Sequence, residues 1–80
     1  MEVWKYQYGE NTIEVQNYGA SGCGLFVNGQ PQDEKRGLSF TGSRLNGKLD
    51  NGEEIKVSLG GVFKMECSLF VNNKLLTPMK

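Results

Sequence analysis

The feature that most constrains this chain is that part of it occurs twice. Ile13-Glu14-Val15, a Gly-rich stretch and Cys23-Gly24-Leu25-Phe26-Val27-Asn28-Gly29-Gln30 come first. They return in the same order as Ile55-Lys56-Val57, a stretch containing Gly60-Gly61, and Cys67-Ser68-Leu69-Phe70-Val71-Asn72-Asn73-Lys74. The Leu-Phe-Val-Asn blocks lie 44 positions apart and the Ile-x-Val blocks 42, so the connecting stretches differ by two residues. A period near 40 invites a propeller or a solenoid, but two copies are too few for either. Two related sheets packed face to face about an approximate two-fold axis meet the need.

Apolar side chains recur with a period of two, which specifies strands with one wet face. Trp4, Tyr6 and Tyr8 alternate with Lys5 and Gln7; Ile13 and Val15 flank Glu14; Ile55, Val57 and Leu59 flank Lys56 and Ser58. Leu25-Phe26-Val27 and Leu69-Phe70-Val71 are continuous apolar triplets and read as strands contacted on both faces, with Leu38, Phe40, Leu45 and Leu49 supplying shorter ones. Asn28-Gly29 and Asn51-Gly52 suit two-residue hairpin turns with positive φ, and Asn72-Asn73 turns the last hairpin. Asn46-Gly47 interrupts a short alternating stretch and reads as a turn or a bulge. Gln30 to Gly37 lacks any period and reads as an irregular connection or a single helical turn. The expected fold is all-β: a small antiparallel β-sandwich of seven to eight short strands in two related three-stranded meanders. It forms a single domain over 1–80, with internal halves over about 3–30 and 44–76.

Composition narrows the chemistry. Nine Lys plus Arg balance nine Asp plus Glu, so the basic excess that non-specific nucleic-acid or anionic-membrane binding needs is missing. Nucleic acid and membrane are therefore not expected partners. There is no His, which removes a histidine-based triad and leaves any metal site to two separated cysteines and carboxylates. No metal and no cofactor is expected. Cys23 and Cys67 have Gly22, Gly24, Glu66 and Ser68 as neighbours, with no cation to generate a thiolate, so they read as inert buried thiols rather than as a nucleophile or a disulfide. Met1-Glu2-Val3-Trp4-Lys5-Tyr6 lacks the basic start and apolar run of a secretory leader, which sets a cytoplasmic expectation.

The candidate binding residues are Trp4, Tyr6 and Tyr8, three rings on one face of one strand, together with Tyr18 at the head of the Gly-rich bend. Such a strip can stack on sugars or anchor a protein, and the competing reading is that a sheet this small needs its largest side chains for its core. Tyr18-Gly19-Ala20-Ser21-Gly22-Cys23-Gly24 has the small residues of a phosphate loop but not its Lys-Ser/Thr ending, and reads as a connection. Asp50, Glu53 and Glu54 lack EF-hand spacing and read as solvated turn charges.

Trp4, Ile13-Glu14-Val15, Gly22 and Leu25-Phe26-Val27-Asn28-Gly29-Gln30, followed by Leu69-Phe70-Val71-Asn72-Asn73-Lys74-Leu75-Leu76, resemble the succession in Fas apoptotic inhibitory molecule domains. The likeness runs from Trp4 to Leu76. It departs from the family pattern in a shorter middle, in Val15 where an aromatic is usual and in Asn28 where Asp is usual. The resemblance implies a compact antiparallel sandwich without catalytic residues that binds other proteins. The functional expectation is a non-catalytic, protein-binding module. Its alternatives are a carbohydrate-binding module that uses the aromatic strip, or a structural domain that dimerises through a sheet edge.

Overall fold

The computed structural model describes residues 2–37, 42–60 and 66–79. Eight strands follow one another: β1 (Glu2–Tyr8), β2 (Asn11–Asn17), β3 (Gly22–Val27), β4 (Gln30–Arg36), β5 (Ser43–Lys48), β6 (Glu54–Gly60), β7 (Glu66–Val71) and β8 (Lys74–Leu76). One 3-10 turn, Gly19–Ser21, precedes β3. Each set of four makes an antiparallel sheet in chain order, β1-β2-β3-β4 and β5-β6-β7-β8. The meanders therefore have four strands each rather than three. The additional strand is β4, which replaces the expected irregular connection over Gln30 to Gly37. Leu38, Phe40 and Gly61 lie outside the described residues.

The repeat survives at the level of register. In the first sheet Trp4 opposes Val15, which opposes Leu25; in the second Leu45 opposes Val57, which opposes Leu69. One step along, Tyr6, Ile13 and Val27 match Gly47, Ile55 and Val71. These positions point inward from both sheets, and their burial makes the sandwich: Tyr6, Ile13, Val15, Cys23, Leu25 and Val27 face Leu45, Leu49, Ile55, Val57, Leu59, Leu69 and Val71. No described polar or charged residue is buried with them, so the core is held by apolar transfer and packing.

The same asparagine device closes the β3–β4 and β7–β8 hairpins. Asn28 and Gly29 have φ of 50° and 81°, and Asn72 and Asn73 have 49° and 66°, the left-handed pair of a type I′ turn. Asn28 Oδ1 accepts the Thr12 N–H at 2.9 Å while its own N–H donates to Thr12 O at 2.8 Å. Asn72 repeats both bonds with Glu54, at 3.3 and 3.0 Å. Each asparagine thus lengthens a neighbouring hairpin by one rung. Asn51-Gly52 does turn the chain, but by a longer route. Gly52 N–H donates to Leu49 O, Leu49 N–H donates to Glu53 O, and only Gly52 has positive φ, the pattern of a three-residue loop.

Asn46-Gly47 is neither turn nor bulge. Gly47 lies within β5 opposite Ile55, and a Cβ there would stand 3.0 Å from Leu25 Cδ2 and 3.2 Å from Gln32 Cβ. The missing side chain lets the first sheet approach, and Tyr6 fills the matching place on the other side. The sheets also meet at their edges. Met79 N–H donates to Lys5 O at 2.7 Å, and Asn46 N–H donates to Asp33 Oδ2 at 2.8 Å. Lys5 and Asn46 hold equivalent places on the first strand of each meander, so the centre of the β1 edge and of the β5 edge is already occupied within the molecule. No helix among the described residues is long and apolar enough to cross a membrane.

Gly22 is the position that tolerates least. Its φ of 112° and ψ of −151° belong to a region open essentially to glycine alone, and a Cβ would fall 1.9 Å from Lys35 O. Gly22→Ala should cost more than about 3 kcal/mol, counting both backbone strain and the clash. Asn28→Ala and Asn72→Ala should each cost about 1–2 kcal/mol, for the left-handed backbone and the lost rung. Urea unfolding followed by Trp4 fluorescence measures all three, and a mild Gly22 variant would contradict the register at the start of β3.

Candidate functional site

Alternation that sends one set of side chains into the core leaves each sheet an outer face, and the repeat lets the two faces be compared position by position. On the first sheet the central outward residue is Phe26, opposite Glu14, which in turn opposes Lys5. On the second it is Phe70, opposite Lys56, which opposes Asn46. The framework is shared and the surroundings differ.

The first face is satisfied from within. Gly24 carries no side chain, and the space above it is taken by the Phe26 ring and the Tyr18 hydroxyl, 3.1 and 3.3 Å from where a Cβ would stand. The Tyr18 hydroxyl donates to Gln16 Oε1 at 2.6 Å, and Gln16 Nε2 donates to Glu14 Oε2. Glu14 also faces Lys5 Nζ at 3.9 Å. A polar chain from Tyr18 to Lys5 thus crosses the sheet beside Phe26. Burial, followed by the charges of Glu34, Cys23 and Glu14, pushes the Tyr18 hydroxyl pKa up, so it remains a donor.

The second face is open. Arg44, Asn46, Lys56, Val57, Ser58 and Phe70 line a depression of about 460 Å³, with no carboxylate among its described lining residues. Arg44 and Lys56 are exposed, and neither has an ion-pair partner among the described residues. Leu75, opposite Phe70 on β8, is 63% exposed. Lys56 also borders a second, polar hollow formed with Gly52, Glu54, Asn72 and Asn73. From Lys56 the surface extends across the sheet to a half-buried ring and an exposed leucine, and along β6 to the Glu54 carboxylate. Two free cations beside apolar area fit an anionic ligand with an apolar part.

The aromatic residues singled out in the sequence do not form one site. Trp4, Tyr6 and Tyr8 do share a face, but it is the inner one. Tyr6 is fully buried, and Trp4 and Tyr8 are half-buried against the core. Of the two readings of this row, core and core cover is the one its burial shows, because a sheet this small places its largest side chains where burial gains most. Tyr18 stands on the outer face, apart from them. The Tyr6 hydroxyl crosses the sandwich to donate to Cys67 Sγ at 3.2 Å, and burial, then that contact, raises its pKa. Burial likewise raises the pKa of Cys23 and of Cys67, both unpaired, so both stay protonated at neutral pH. Compared with family models, curated proteins and solved structures, the chain matches none.

Period and composition did not single out Arg44, Lys56, Phe70 and Leu75. The signal that could have found them lies in the repeat. The residue beside the outward phenylalanine is Glu14 in one half and Lys56 in the other.

Tyr8 closes the sandwich at one end. Its hydroxyl donates to Glu53 Oε2 at 2.6 Å; Asn72 Nδ2 donates to the same oxygen at 2.7 Å, and Asn51 Nδ2 to Oε1. The Tyr8 bond first, and then the Asn51 bond, hold the Glu53 carboxyl below the usual glutamate range. A depressed folded pKa contributes stability that is present in full above the unfolded value and is lost as pH falls through the folded one. Urea midpoints of wild type and Tyr8→Phe should therefore differ near neutrality and converge in acid. A gap that stayed constant with pH would contradict a charged acceptor.

Proposed function

We propose that this protein is a non-catalytic, protein-binding module and that the outer face of the second sheet is its contact surface. The observation that carries the reading is the contrast between two faces on one repeated framework. Where the first face pairs its charges and covers Gly24 with Tyr18 and Phe26, the second leaves Arg44 and Lys56, beside Phe70 and Leu75, without an ion-pair partner among the described residues. Exposed apolar area flanked by unpaired charge is the surface chemistry of a protein contact.

The inward turn of Trp4, Tyr6 and Tyr8 takes away the aromatic platform on which sugar stacking would rest. The bonds at Lys5 and Asn46 occupy the middle of β1 and β5, two of the edge strands that edge-to-edge dimerisation would use. Both points favour a face over a strip or an edge. The resemblance to Fas apoptotic inhibitory molecule domains supports the same class of function, a sandwich that binds proteins.

The test uses the molecule's own control face. A photo-crosslinking amino acid is placed at Leu75 in one protein and at Gln7, on the outer side of the first sheet, in another; both are irradiated in cells. Protein adducts are expected from position 75, absent from position 7, and lost when Arg44→Glu and Lys56→Glu are added. Equal adducts from both positions, or none from 75, would overturn the assignment of the face.

A further inference from the structure

The arrangement of charge on that face also constrains what it holds; the following rests on its being the contact surface. Arg44 on β5 directly opposes Ser58, and Lys56 lies two residues from Ser58 on β6, so the two cations form a diagonal pair about 7–8 Å apart at the backbone. Phe70 is the next residue across the sheet from Lys56, and Leu75 the next after that, each one strand spacing of about 5 Å further on. The path from Arg44 to Lys56 to the gap between Phe70 and Leu75 therefore has two steps of similar length, near 7 Å. Alternate side chains of an extended chain, at about 3.3 Å per residue, repeat at that same interval and point to one side. A helix matches it less well, because its same-face neighbours repeat at three or four residues, about 5–6 Å apart.

We propose that this face takes an extended acidic segment of a partner protein. Carboxylates at alternate positions meet Arg44 and Lys56, and an apolar side chain two residues further on seats against Phe70 and Leu75. Glu54 borders the far hollow beyond Lys56, and its charge opposes an acidic residue placed at that end. The segment therefore starts at Arg44 and continues from Lys56 across the sheet towards Phe70 and Leu75, away from Glu54. Among the described residues no carboxylate lines the groove wall, and Glu54 borders Lys56 only on the side of the second hollow.

Two labelled peptides of identical composition test it, Ser-Glu-Ser-Glu-Ser-Leu-Ser and Ser-Glu-Glu-Ser-Ser-Leu-Ser, each titrated into the whole chain by fluorescence anisotropy with amide chemical shifts recorded in parallel. Their net charge is the same, so non-specific attraction cannot separate them. The alternating peptide should bind roughly two- to fivefold more tightly, the factor expected from one exposed charge pair, because the first Glu and the Leu keep their places in both isomers and only the second Glu leaves register. Its shifts should map to Arg44, Lys56 and Phe70, and its affinity should fall with added salt. The double variant Arg44→Glu, Lys56→Glu should lose this peptide and gain the version with Lys in place of Glu. Equal affinities for the two isomers would overturn the spacing. Tighter binding of a sulfated oligosaccharide at the same residues, or concentration-dependent shifts there without any peptide, would replace the acidic segment by a sugar or by a second copy. If neither peptide binds while position 75 still crosslinks a protein, the acidic-segment assignment fails and the contact surface stands. If position 75 captures nothing, both fail.

Discussion

The burial of two short apolar blocks against each other is what the rest of the molecule depends on. Val15 and Leu25 from one sheet, and Val57 and Leu69 from the other, occupy the same register and are buried together at the centre of the sandwich. A four-stranded sheet of this size has only one row of inward side chains per strand, and neither meander can shield that row by itself. Docking is therefore what makes either half stable. The distribution of bulk follows from it: where Gly47 leaves room, Leu25 and Gln32 come close, and where the first sheet has Tyr6, that ring reaches Cys67 on the other side. The repeat is close in its backbone and deliberately unequal in its side chains.

That inequality continues on the outside. Core positions must complement one another, so their residues are coupled across the axis. Outer positions carry no such coupling, and the two halves are free to diverge there without loss of the fold. Phe26 and Phe70 retain matching places while their neighbours differ in charge and in cover. The first face uses Lys5, Glu14, Gln16 and Tyr18 to complete itself. The second has its charges available for something else.

Much of the fold was legible because period and repeat report backbone and burial directly. The Ile-x-Val and Leu-Phe-Val blocks located β2, β3, β6 and β7, and the asparagine turns were placed by their tolerance of positive φ. What was not legible follows physically. Gln30 to Arg36 carries seven residues with no apolar alternation, and it is a strand because β3 offers it a ladder, which is a tertiary fact. Asn46-Gly47 has turn chemistry but is held straight because glycine there serves close sheet packing. The row of Trp4, Tyr6 and Tyr8 was visible as a row, but alternation alone does not say which side of a sheet is wet. The proposed contact face was hidden for a related reason: Arg44 and Lys56 look like ordinary solvated charges until the other half supplies a paired counterpart for comparison.

Every strand in this protein bonds to the strand next to it in sequence, and this has a kinetic consequence. Each meander can zip from its turns with loops of a few residues, so the entropy of closing long loops is met once, at docking, rather than at every pairing. Sandwiches built from Greek keys must bring distant strands together before any sheet is complete, and they fold slowly for that reason. Here assembly divides into two local events and one collision, and the barrier should lie where two transiently zipped halves meet and stabilise each other.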